Sequence, residues 1–171
     1  MNYFSLFGLP PSYNLDEKQL ISRYQALQRQ FHPDRFASCP ENERLQAVQQ
    51  SATINRGYQT LRQPLLRAEY LLGLHGYDIC NEQHTLQDAE FLMEQMALRE
   101  ALEATEHQQD EKQLRLLTER IANMLATLQS QMNDQLNAEC WPRAADMARK
   151  LRFLVKLSSQ AEELDERFSD F

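Results

Sequence analysis

The sequence predicts an all-α protein: an N-terminal helical hairpin followed by a C-terminal antiparallel three-helix bundle. Three observations carry this. Glycine and proline are scarce, four and six in 171 residues, while Leu, Gln, Glu, Ala and Arg, all good helix formers, abound. Apolar residues recur at spacings of three and four in both halves, the signature of one buried helical face. The longest patterns, in the second half, are separated by only a few residues, which makes neighbouring helices antiparallel.

Taken in order, Tyr3, Phe4, Phe7 and Leu9 form an apolar cluster closed by Gly8 and Pro10-Pro11, which predicts one or two helical turns packed on the helices after them. The next helix begins near Leu15-Asp16-Glu17, where acidic residues suit the positive end of the macrodipole. Leu20, Tyr24, Leu27 and Phe31 make its buried stripe, and Lys18, Arg23, Gln28 and Arg29 lie off it, facing water or a partner. Pro33 lacks an amide donor and pushes His32 out of the α region, so this helix ends there. A loop of about nine residues leads to a helix over about 41–61. Its apolar side is read from Leu45, Val48 and Ala52, then Ile54, Tyr58 and Leu61. The two helices pack as an antiparallel hairpin. Pro64 restarts the chain, and a helix containing Leu65, Leu66, Tyr70, Leu71 and Leu72 ends at Gly73 or Gly76.

Residues 76–84 read as a linker between a first domain over 1–75 and a second over 85–171. Thr85-Leu86-Gln87-Asp88 has a capping-box pattern. Three helical patterns follow, over about 88–105, 110–136 and 142–168. The second carries Leu114, Leu117, Ile121, Met124, Leu128 and Met132 at threes and fours; the third carries Ala145, Ala148, Leu151, Leu154, Ala161, Leu164 and Phe168.

Charge divides the chain at the same place. Residues 1–75 carry eight Lys/Arg and six Asp/Glu, a net of +2, and the remainder carries a net of −9. That balance argues against general nucleic-acid binding, which needs a concentrated cationic face, and for two domains with different partners. No apolar run approaches the roughly 20 residues that span a bilayer, and the N-terminus does not read as a signal peptide. Cys39, Cys80 and Cys140 form neither a metal pair nor a disulfide framework, which suits a reducing, cytoplasmic setting. There is no Walker loop and no GxGxxG. His32 and Asp34 can be read as an acid–base pair, but no nucleophile has a partner motif, and His75, His84 and His107 are scattered. No enzyme, cofactor or bound metal is expected.

Winding the residues from 88 onward at about 100° per residue separates two apolar faces. Phe91, Leu98 and Leu102 form the bundle stripe, whereas Leu92, Met93 and Met96 cluster elsewhere, together with Glu100. Phe153 likewise falls roughly 200° from Leu151, off the stripe of the last helix. Either the first bundle helix is buried on two sides, or Leu92, Met93, Met96 and Phe153 form an exposed patch of the kind proteins keep for a partner.

The organising stretch is Phe31-His32-Pro33-Asp34-Arg35 at the hairpin corner. With Tyr3-Phe4-x-Leu6-x-Gly8-Leu9 upstream, a helix bearing Arg23 and Arg29, Ile54-Asn55-x-x-Tyr58-x-x-Leu61, and Arg67-Ala68-x-Tyr70, residues 1–75 resemble the J-domain, which activates ATPase chaperones of the heat-shock-70 class. Phe91-Leu92-Met93-Glu94-Gln95 and Arg149-Lys150-Leu151-Arg152-Phe153-Leu154 resemble the scaffold-binding domain of the HscB family, the bacterial J-proteins of iron–sulfur cluster assembly. The resemblance implies that His32, Pro33 and Asp34 couple to the HscA chaperone, with Arg23 and Arg29 as electrostatic docking contacts. It also implies that Leu92, Met93, Met96, Glu100 and Phe153 hold the scaffold IscU, and that the protein acts as a monomer with neither nucleic-acid nor membrane partners. Ala97 and Ala104 depart from acidic residues found in relatives, and Arg35 keeps the charge of the commoner Lys. The absence of N-terminal cysteine pairs resembles the bacterial members. On the residues alone, a J-protein serving another client and a helical interaction protein without a chaperone role remain open.

Overall fold

A computed structural model describes residues 2–79 and 88–170. Among the described residues the chain is all-α, without a strand, and it divides into two compact units, the first ending at Leu74 and the second beginning at His75.

The first unit holds α1 (Tyr3–Leu6), α2 (Glu17–Phe31), a 3-10 turn (Pro33–Phe36), α3 (Glu41–Arg62) and α4 (Pro64–Leu74). Asn2 and Ser5 form a reciprocal capping box around α1, which places Phe4 and Phe7 in the core at 0% and 1% exposure. Asp16 caps α2, accepting hydrogen bonds from the amides of Lys18 and Gln19 at 3.0 and 3.3 Å. The α2–α3 hairpin is antiparallel: Tyr24 stacks on Tyr58 with centroids 3.9 Å apart, and the Tyr24 hydroxyl donates to Asn55 Oδ1 at 2.8 Å.

One detail corrects the sequence reading, the exposure of Leu45 and Val48, and two others sharpen it. Gln28 is half-buried and faces a partner as well as water: its amide donates to the Tyr24 hydroxyl at 2.6 Å and to Asn55 at 3.2 Å, so it borders the helix–helix seam. Leu45 and Val48 are exposed, because the buried stripe of α3 runs through Ala47, Ile54, Gly57 and Leu61. The helix α4 runs through Gly73 and stops before Gly76, which takes the left-handed φ of 90°.

Aromatic and cationic side chains tie α4 back to the start of the chain. The Tyr3 amide donates to the Tyr70 hydroxyl at 2.9 Å and the two rings stack, with centroids 4.8 Å apart. Arg67 is buried, donating to the Leu61 carbonyl at 2.9 Å and lying over the Tyr13 ring at 5.1 Å. Burial pulls its guanidinium below the usual arginine range, and the charge interactions with Tyr13 and Glu17 oppose that shift.

The second unit is a bundle of α5 (Ala89–Gln108), α6 (Glu111–Asn137) and α7 (Trp141–Ser169). The capping box expected from Thr85 lies mostly outside the described residues; the observed N-cap of α5 is Asp88, accepting from the Phe91 amide at 3.1 Å. The part of the expected linker beyond Ile79 lies outside them too. Tight connections pass through left-handed Gln109 and Glu139, and Asp110 caps α6. Leu98, Leu102, Leu114, Leu117, Ile121, Leu154, Leu157, Ala161 and Leu164 form the shared core. Met124, Leu128 and Phe168, read as stripe positions, are only partly buried at its margin. His75 stacks on Trp141 at the start of α7, with centroids 3.9 Å apart.

Candidate functional site

The hairpin corner is built by backbone chemistry. His32 closes α2 with φ −61° and ψ 132°, the extended conformation that a following proline imposes. Pro33 then opens the 3-10 turn, where its missing amide costs nothing. The Asp34 amide donates to His32 Nδ1 at 3.2 Å, and the Arg35 amide donates to the His32 carbonyl at 3.0 Å. Asp34 Oδ2 also approaches Nδ1, at 3.6 Å. The amide contact is the shorter of the two. Both side chains are open to solvent, His32 by 58% and Asp34 by 93%.

Arg29 and Arg35 join His32, Gln25, Gln28 and Ser51 around a surface recess of about 680 Å³. Arg29 Nε donates to the Gln25 carbonyl one turn back, leaving the rest of its guanidinium outward. Arg23 lies apart from this group. It is exposed, yet its Nη1 donates to the Phe7 carbonyl at 3.2 Å. There it packs against Gly8, where an added Cβ would collide with that same guanidinium. Arg23 therefore braces the α1–α2 junction as well as presenting charge.

On the second unit, α5 turns Phe91, Leu98, Leu102 and Thr105 inward and leaves Leu92, Met93 and Met96 exposed by 43%, 72% and 64%. Glu100 is exposed on the same side. Phe153 is half-buried rather than free: its ring meets Phe91 edge-on at 6.0 Å and lies under the Arg99 guanidinium at 5.1 Å. Arg99 is absent from the sequence-derived residues; its spacing of three from Met96 was the available signal. Ala97, on the flank of this face, is exposed and adds no charge.

Among the described residues, no group of three or more His, Cys, Asp or Glu side chains is placed to hold a metal, and no helix is long and apolar enough to cross a membrane. Of the histidines, His75 is committed to Trp141, and His84 lies outside the described residues. The two places so described are a polar corner and an exposed apolar face.

Residues 87–162 match the family model described as the HSCB C-terminal oligomerisation domain. The chain is similar to the structure of chaperone HscB from Vibrio cholerae, with 45% identity, a TM-score of 0.83, and coverage of 98% of this chain and 99% of that one. It also resembles human co-chaperone HscB at 28% identity and a TM-score of 0.87, covering 95% of this chain and 81% of that one. The fold is shared with the Jac1 co-chaperone of Saccharomyces cerevisiae, at 24% identity and a TM-score of 0.76 over 95% of this chain and 92% of that one. Identity of 45% along nearly the whole of two chains shows that this protein belongs to the HscB family of co-chaperones.

Proposed function

We propose that the protein is a two-handed adaptor in iron–sulfur cluster assembly. The first unit, acting as the J-domain, stimulates ATP hydrolysis by HscA; the second carries the scaffold IscU to that chaperone. The observation that carries the reading is the pairing, in one chain, of the stiff His32-Pro33-Asp34 corner with the exposed Leu92, Met93 and Met96 face.

At the corner, His32 offers its imidazole, Asp34 offers a carboxylate, and Pro33 fixes the backbone between them. Arg29 supplies charge beside them, and Arg23 supplies it further along α2. A preformed donor and acceptor bind with little ordering cost. Stimulation follows if this constellation contacts the hydrolysing state of the chaperone better than the resting state, since only differential affinity shifts an equilibrium. On the second unit, Leu92, Met93, Met96 and Phe153 supply apolar area with adaptable thioethers, and Glu100 supplies a polar rim. Tethering both hands in one chain raises the effective concentration of scaffold beside the chaperone. The protein performs no covalent chemistry, needs no cofactor, and works in the cytoplasm as a monomer.

A pair of variants tests the division of labour. His32→Gln is expected to abolish ATPase stimulation while leaving scaffold binding and helical content intact. Phe153→Ala is expected to weaken scaffold binding and keep the stimulation seen without scaffold. If either variant impaired both activities while remaining folded, the two-handed reading would be wrong.

A further inference from the structure

The corner end of the α2–α3 hairpin is thinly packed. Leu20, the buried residue of α2, sits near the start of that helix, and Leu27 and Phe31 nearer the corner are only half-buried. On α3 the first buried position is Ala47, which offers a single methyl. Winding α3 at about 100° per residue puts Ser51 and Asn55 to one side of the Ala47–Ile54 line and Gln46, Gln50 and Thr53 to the other. A surface recess opens on each side. One, of about 680 Å³, is shared by Ser51 and His32; the other, of about 750 Å³, is lined by Phe31, Phe36, Gln46, Gln50 and Thr53. Apolar contact therefore does little to fix the last turns of α2 against α3.

What holds them is a polar clasp. The Tyr24 hydroxyl donates to Asn55 Oδ1 at 2.8 Å while accepting from the Gln28 amide at 2.6 Å, and that amide also donates to Asn55 Oδ1 at 3.2 Å. Tyr24 is fixed in turn by its stack on Tyr58. Gln28 lies four residues, about one helical turn, before His32, and both line the same recess. Hydrogen bonds are directional, so three of them sharing one hydroxyl and one acceptor define a register that loose apolar contact does not.

We infer that Gln28 is a positioning residue for chaperone stimulation: through Tyr24 and Asn55 it locks the end of α2, and with it the His32 corner, in one register against α3. The inference rests on the reading of the first unit as a J-domain that stimulates HscA, and adds how the corner is aimed. A corner carried on a loosened α2 keeps its cations, Arg23 and Arg29, so encounter with the chaperone is retained. The loss falls on the fixed placement of His32 and Asp34 once the partner is bound.

The test is the steady-state ATPase rate of HscA against the concentration of this protein, for wild type, Gln28→Met, Asn55→Leu and the double variant. Gln28→Met keeps the length of the side chain and removes the donor; Asn55→Leu keeps the volume and removes the acceptor. Each single variant is expected to lower maximal stimulation about 3–10-fold while the half-saturating concentration moves less than about 2-fold. The double variant is expected to be no worse than either single, because both break one clasp. Helical content and melting temperature establish that each variant is folded at the assay temperature, where a merely structural role would leave both kinetic quantities unchanged. Wild-type maximal stimulation in Gln28→Met, or losses that add in the double variant, would overturn the clasp and leave the J-domain reading standing. A raised half-saturating concentration at an unchanged maximum would overturn it too, by making Gln28 a docking contact. No stimulation by the wild type would overturn both.

Discussion

Lys150 Nζ lies 2.7 Å from Asp88 Oδ2 and 5.4 Å from the centre of the Phe91 ring, so one ammonium holds both the cap and the first buried aromatic of α5. A second pair, Arg167 with Glu106 at 3.0 Å, joins the other end of α5 to α7. The two pairs span 18 residues of α5 and 17 of α7, the register of two parallel helices side by side. The open face and Phe153 are set within that frame.

Asp88 makes the frame sensitive to acid. The Lys150 ammonium, and then the Phe91 amide, hold its carboxyl below the usual carboxylate range. Its contribution is therefore complete above the unfolded value of about 4 and is lost as pH falls through the depressed native value. Asp88→Asn is expected to lower the melting temperature of the second unit at neutral pH. The difference from wild type should narrow as pH drops below about 4, because wild type loses the same charge. Thermal melts across pH check this; a constant difference down to pH about 2 would assign the effect to something other than the carboxylate.

Gly57 sits where α3 passes closest to α1. A Cβ there would stand 3.0 Å from the Tyr3 ring and 3.2 Å from the Phe7 ring. Both rings are packed, so Gly57→Ala is expected to destabilise the first unit by about 1–3 kcal/mol, through overpacking. Denaturant unfolding measures it, and the melt of the second unit should not move.

Two residues of the bundle should behave oppositely. Leu154 is 0% exposed and Met93 is 72% exposed. Leu154→Ala is expected to cost about 2–5 kcal/mol through the cavity it leaves. Met93→Ser should change stability by less than about 0.5 kcal/mol yet weaken IscU binding. Urea titrations and calorimetry on the same two variants separate folding from recognition.

Arg67 is a buried cation held by one carbonyl and one ring. Arg67→Met keeps much of the volume but leaves the Leu61 carbonyl without its charged donor, an expected loss of about 1.5–3 kcal/mol in the first unit. Unfolding monitored by tyrosine fluorescence would show it, since Tyr13 carries the guanidinium on its ring.

Much of this was legible in the residues, for identifiable reasons. Long stripes such as Leu114 to Met132 admit only one helical face, and the His32-Pro33 junction leaves the backbone little choice. The second apolar face of α5 was readable because Leu92 and Met96 sit four apart and far from the stripe of Phe91, Leu98 and Leu102, while its exposure was not. Where two apolar stripes compete on one helix, spacing is silent about which is buried. In α3 the small residues Ala47 and Gly57 won over Leu45 and Val48, because they allow close approach by α1 and α2. The polarity of Gln28 and Arg67 hides their packing; Gln28 is half-buried and Arg67 buried, each with a partner distant in sequence, Asn55 for one and the Tyr13 ring for the other. Arg99 escaped notice for the same reason, since its role depends on the Phe153 ring.

The central claim is that one chain couples a chaperone to its client. It is tested most directly by the steady-state ATPase rate of HscA with this protein alone, with IscU alone, and with both. The account predicts stimulation by the protein, further stimulation when IscU is added, and loss of both in His32→Gln. Stimulation indifferent to IscU would contradict the client half of the claim, and a rate unchanged by the protein would contradict the claim as a whole.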